Sequence, residues 1–340
     1  MTLKWIIKHI ILLLFLPILL SLDPLTYDSD YHAIYKSPEG ILFLSYTNAW
    51  DEEKLKQIYQ ELIKNKHGDE LQFLQEVRVR GGAFGASTTK GSFHALTDTI
   101  TLYQGDKYTD VSSYTDTLSH EYGHHFAYHY LQSHHFPFSE WSKIRGLEKK
   151  PVRWDAYWNY ADENHKWYPQ EIIAEDYVLL YGSGKKGNMQ DVTSSNEAFY
   201  LRTQHENEDI PNVLGNKELI TYLEEASGLK VDKDRLLKTP TLIEAKNQEV
   251  IFKITERKDV AYKVNFTFYE DGIKKDTKEI LRISSPDTNE LKISMQDLLN
   301  QEYPSQTVKV TVDVLDLNTS IGFETKDIYL NIDSNLISIK

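Results

Sequence analysis

The chain has 340 residues, no cysteine and a formal net charge of −13, from 51 acidic and 38 basic side chains. That length suggests about two domains, at roughly 150 residues each. A net negative surface repels phosphate and argues against a nucleic-acid partner. Without cysteine there is no thiol nucleophile and no disulfide framework.

In chain order, Lys4 and Lys8 precede an apolar run, Ile10–Leu22. A basic start before a short apolar stretch reads residues 1–22 as a signal peptide or an uncleaved signal anchor, because LLSLDPL lacks a clean small-x-small site. The run is shorter than the roughly 20 residues of a membrane span. The expectation is an exported chain, secreted or attached to the membrane through this segment. Residues 23–39 read as an extended leader.

Residues 40–238 read as an α+β domain. Ile41–Tyr46 has strand character. Leu55, Ile58, Tyr59, Leu62 and Ile63 recur at helical spacing within Asp51–Lys64. Leu74–Arg80 alternates as a strand. A glycine-rich loop follows at Gly81–Gly91, then a strand at Thr99–Tyr103 and a helix over Asp110–Tyr130. The loop is not a phosphate loop, because Thr89 and not glycine precedes Lys90. Pro169 opens a helix to about Tyr181, as proline at a first turn allows. A further helix covers Lys217–Ala226. In residues 239–340, six short alternating runs separated by turn signals predict an all-β antiparallel sandwich of immunoglobulin or fibronectin type. A cell-surface ligand is a candidate partner for it.

The chemistry concentrates in TLSHEYGHHFAYHY, residues 117–130. At about 100° per residue, His120 and His124 share a helix face, with Glu121 beside them. His125 and His129 form a second pair on another arc, expected to be outer-face or supporting residues. Two imidazoles one turn apart can both reach one Zn²⁺. A glutamate after the first can reach a water on that metal without occupying a ligand position, and so act as general base. Gly123 inside the helix costs stability and implies a steric demand behind the metal. A catalytic zinc needs a third protein ligand. On the helix opened by Pro169, Glu171 and Glu175 lie one turn apart, and either could serve.

HEYGH followed by helical EIIAE resembles the gluzincin metallopeptidases, over residues 98–181. The long gap from His124 to Glu171 is closest to the lethal-factor-like bacterial zinc peptidases. The resemblance implies a zincin-like catalytic domain with His120, His124 and Glu171 as metal ligands and Glu175 orienting a ligand histidine. It also implies Glu121 as general base, and Thr99–Tyr103 as the edge strand along which a peptide or protein substrate lies. Tyr160, Tyr168 and His205 are candidates to stabilise the oxyanion, with Tyr168 preferred for its place at the mouth of the ligand helix. The rival reading is a surface binding protein whose zinc site is structural or degenerate.

Overall fold

The structure, a computed structural model, describes residues 30–84, 88–156, 158–183, 189–246, 249–295, 305–333 and 336–339. The apolar segment 1–22 and the first part of the leader lie outside these. Among the described residues no helix is long and apolar enough to cross a membrane. The chain divides into two compact units, one up to Ser183 with Glu218–Lys230, the other Gly184–Lys217 with Val231–Lys340.

The first unit is built on a five-stranded mixed sheet in the order β1-β2-β3-β5-β4. Its strands are β1 (Ala33–Lys36), β2 (Leu42–Ser45), β3 (Glu76–Val79), β4 (Gly91–His94) and β5 (Thr99–Leu102). The central pairs β2–β3 and β3–β5 are parallel, and the outer pairs β1–β2 and β4–β5 antiparallel. Two expectations change here. The end of the segment read as a leader is β1, turned back onto β2 at Gly40, whose φ of +96° suits glycine. The outermost strand near the histidine helix is β4, not Thr99–Tyr103. Gly91 begins that strand, where the sequence reading extended the loop through it, so β5 lies inside the sheet between β3 and β4.

Helix α1 (Glu52–Leu62) is capped by Asp51, whose carboxylate accepts from Lys54 N at 3.0 Å. It buries Leu55, Ile58, Tyr59 and Leu62, the i, i+3, i+4, i+7 stripe of an amphipathic helix. Helix α2 (Thr115–Tyr130) follows a 3₁₀ turn at Val111–Tyr114. Its Tyr122, Phe126 and Ala127 are buried. Glu70, fully buried on a 3₁₀ turn, accepts from Tyr122 Oη at 2.8 Å, Tyr130 Oη at 2.7 Å and Gly68 N at 2.9 Å. A buried carboxylate needs such donors, and these pin α2 to the turn. Burial, then the Glu70 carboxylate, push the Tyr130 hydroxyl up to about 12.

The short helix α3 (Glu140–Ile144) leads to α4 (Pro169–Tyr181), which begins with proline at its first turn and is buried along most of its length. Arg145, just after α3, pairs through Nε with Asp176 Oδ2 of α4 at 3.0 Å, both fully buried, and Trp141 Nε1 donates to the same oxygen at 3.1 Å.

In the second unit, α5 (Met189–Ser194) and α6 (Glu197–Tyr200) precede the strands, whereas α7 (Lys217–Ser227) packs with the first unit. The strands are β6 (Thr241–Lys246), β7 (Glu249–Lys253), β8 (Val260–Glu270), β9 (Ile273–Ile283), β10 (Glu290–Ser294), β11 (Ser305–Asp316), β12 (Gly322–Glu324), β13 (Ile328–Asp333) and β14 (Leu336–Ile339). They form an antiparallel three-stranded sheet, β10-β7-β6. The other sheet, six-stranded, has the path β14-β13-β11-β8-β9 with β12 also on β11. All six predicted runs are strands. The β8–β9 hairpin turns at Asp271 and Gly272, both at positive φ, the conformation a two-residue type I′ turn requires.

The compact units do not follow the linear segments 40–238 and 239–340. Val192 and Phe199, from the stretch before residue 239, pack on Ala261, Leu315 and Leu317 of the strands. Arg202 Nη1 reaches Asp313 Oδ1 at 2.7 Å. These side chains cover the outer sheet face, so burial along β11 alternates at first and is continuous from Val310.

Candidate metal centre

Helices α2 and α4 meet where Gly123 faces Ala174. A Cβ on residue 123 would stand 2.8 Å from the Ala174 carbonyl oxygen and 2.9 Å from its Cα. The missing side chain lets the backbones approach, and this answers the steric demand inferred from the sequence. The approach sets His120 and His124 of α2 opposite Glu171 and Glu175 of α4.

His120 Nε2 lies 3.1 Å, and His124 Nε2 3.3 Å, from one atom, Glu171 Oε2. The three donor atoms fall within 4.8 Å of one another. Zinc ligands at about 2.0–2.1 Å in tetrahedral array stand about 3.3 Å apart, so this donor set fits such an ion. His120 Nδ1–H donates to Glu175 Oε1 at 2.9 Å. That bond fixes the ring and leaves Nε2 facing the group. Glu121 is 6 % exposed and stands to one side, its Oε2 4.0 Å from His124 Nε2. Behind it, a Cβ on Gly91 would come within 2.7 Å of Glu121 Oε1, so the first residue of β4 leaves the room that carboxylate occupies.

The electrostatics follow from the same contacts. Burial lowers the pKa of His120, but hydrogen bonds to Glu171 and Glu175 outweigh it and leave the ring well above its ordinary value. Burial raises Glu171, but His124, His120 and His165 together hold it well below the usual carboxylate range. Burial raises Glu121, and the neighbouring imidazoles only partly oppose it.

The second histidine pair stands apart. His125 is not an outer-face residue: it is 1 % exposed, and its Nε2–H donates to the Glu70 carbonyl at 2.8 Å. His129 stacks on Phe73, ring centroids 4.9 Å apart. Tyr168 is fully buried, and its hydroxyl accepts from Ala161 N at 2.8 Å and donates to Asn159 O at 3.0 Å. Those bonds tie the turn before α4 together and engage the group proposed for the oxyanion. Tyr160 stacks on Tyr168, centroids 4.8 Å apart. His205 belongs to the other compact unit, where its Nδ1 accepts from Asn207 N at 2.9 Å.

The sequence reading missed His165. It sits on the 3₁₀ turn Asp162–Trp167, and its Nε2 lies 3.2 Å from Glu171 Oε2. The available signal was a histidine in the turn directly before a proline-opened helix that carries a candidate ligand.

No protein-family model matches the chain, and no curated protein matches it. The functional reading therefore rests on this geometry and on the motif.

Proposed function

We propose that the chain is an exported zinc-dependent endopeptidase of gluzincin type, with a zincin-like catalytic unit followed by an immunoglobulin- or fibronectin-like sandwich. The observation that carries the reading is the convergence of His120 Nε2 and His124 Nε2 on Glu171 Oε2, at 3.1 and 3.3 Å, beside an acid that is not part of the group. Zinc held by those three residues would polarise a carbonyl and lower the pKa of a water toward about 7.

The remaining steps belong to the chain. Glu121 takes a proton from the attacking water and returns it to the leaving amine. Glu175 keeps His120 in the tautomer that presents Nε2. Strand β4, outermost beside α2 and touching Glu121 at Gly91, offers backbone groups to an extended peptide. Strand addition holds substrates of varied sequence.

Zinc stoichiometry in histidine variants tests the assignment. His120→Ala and His124→Ala should each abolish stoichiometric zinc, and His129→Ala should retain it. Zinc retained by both of the first two variants would overturn the ligand set.

A further inference from the structure

Resting on the peptidase reading, we propose that His165 is a further catalytic residue. Its Nε2–H donates to the oxygen of the scissile carbonyl and holds the negative charge that develops there when water adds. His165 touches the same carboxylate oxygen that His120 and His124 face, at 3.2 Å, yet it is outside the group of three donors that lie within 4.8 Å of one another. It is a neighbour of a ligand atom, not a fourth ligand. It is also the most open member of the cluster. Its side chain is 33 % exposed, against 17 % for His120 and 10 % for His124 and Glu171. It is therefore more accessible to a substrate than the three donors.

The ring is held in place before substrate arrives. It lies nearly parallel to His120, centroids 6.1 Å apart. Its turn is fastened by Tyr168, whose N–H donates to the His165 carbonyl at 3.1 Å and whose hydroxyl bonds the backbone at 159 and 161. The buried Tyr168 thus positions a neighbouring donor. A donor fixed where charge will develop needs no reorganisation during reaction, which is the condition for effective electrostatic stabilisation.

The test uses full-length protein loaded with cobalt(II) in place of zinc, with binding read from the visible spectrum. Methylphosphonate imitates the tetrahedral oxyanion, and acetate is the planar control. His165→Phe keeps a ring and removes the donor. It should retain one cobalt per chain, weaken methylphosphonate by about tenfold or more and leave acetate within about twofold. His165→Gln, which restores an N–H, should recover part of the loss. Unchanged methylphosphonate binding in His165→Phe would overturn the proposal alone. So would loss of cobalt, because the ring would then serve only to orient Glu171. Weakening by Tyr160→Phe but not by His165→Phe would move the role to Tyr160. Wild-type protein that takes up no metal would overturn the peptidase reading as well.

Discussion

Gly123 of α2 and Ala174 of α4 are in backbone contact: a Cβ on the glycine would lie 2.9 Å from the alanine Cα and 2.8 Å from its carbonyl oxygen. The contact sets the spacing between the helix that carries both histidines and the helix that carries both acids. Gly123→Ala gains about 1 kcal/mol in helix propensity. It also meets backbone that cannot rotate away, and overpacking of this kind costs about 1–3 kcal/mol. The variant should melt below wild type and bind zinc more weakly. A higher melting temperature with unchanged zinc affinity would show that the helices separate freely.

Gly91→Ala should behave differently. The atoms its Cβ would meet are side-chain atoms, Thr117 Cγ2 at 2.5 Å and Glu121 Oε1 at 2.7 Å. Thr117 is branched at Cβ and Glu121 is buried, so neither can move without some cost in stability, and any shift moves the proposed base. Peptide cleavage should fall by about tenfold or more, because general-base catalysis typically contributes 10²–10⁴-fold and depends on placement. Zinc content should change little, while overpacking lowers the melting temperature. Full activity in this variant would remove Glu121 from the role or Gly91 from its neighbourhood.

Much of this candidate site was legible in the sequence, and the reasons differ by residue. His120, Glu121 and His124 are separated by fixed helical angles, so a single helix places them with no knowledge of the tertiary fold. Glu171 and Glu175 needed only a second helix and a close crossing, which Gly123 signalled. The sheet edge was obscured because Gly91 read as the end of a loop and no strand was assigned directly after it, and strand order depends on long-range pairing that local patterns do not encode. His165 sits on a 3₁₀ turn with no periodicity to mark its direction. Tyr168 was credited with a catalytic hydroxyl because the sequence does not reveal that backbone groups at 159 and 161 engage it. The cover of β8 and β11 by Val192 and Phe199 was hidden because those residues precede the strands by a long stretch of chain.

The buried pair Arg145–Asp176 gives a stability prediction. Both side chains are fully buried, and Asp176 adjoins Glu175 on α4. Removing one partner leaves an uncompensated charge, typically a loss of about 3–5 kcal/mol. Asp176→Ala should lower the urea midpoint by a corresponding amount, and restoring volume alone with Asp176→Leu should not rescue it. A midpoint within error of wild type for Asp176→Ala would contradict the argument.

Metal uptake should release protons. His120 titrates well above its ordinary value in the metal-free protein, so at pH 7 its ring carries the extra proton. A metal on Nε2 requires that proton to leave. Glu171 is held well below the carboxylate range and is already ionised, so it adds none. Calorimetry in buffers of different ionisation enthalpy at pH 7 should show at least about one proton released per zinc, with apparent affinity rising as pH rises toward the His120 pKa. No proton release at pH 7 would contradict this charge state.

The central claim is that this is a metal centre with a separate base, and Glu121→Gln tests it most directly. Glutamine keeps the size and hydrogen bonding of the side chain but cannot accept a proton. Glu121 is outside the donor group, so its replacement should leave the metal in place. Zinc content and cleavage of a broad peptide library should be measured on wild type and variant in one experiment. The account predicts zinc near one per chain in both proteins, cleavage by wild type, and a rate at least 10²-fold lower in the variant. Equal cleavage by the two proteins, or zinc-loaded wild type that cleaves nothing in the library, would contradict it.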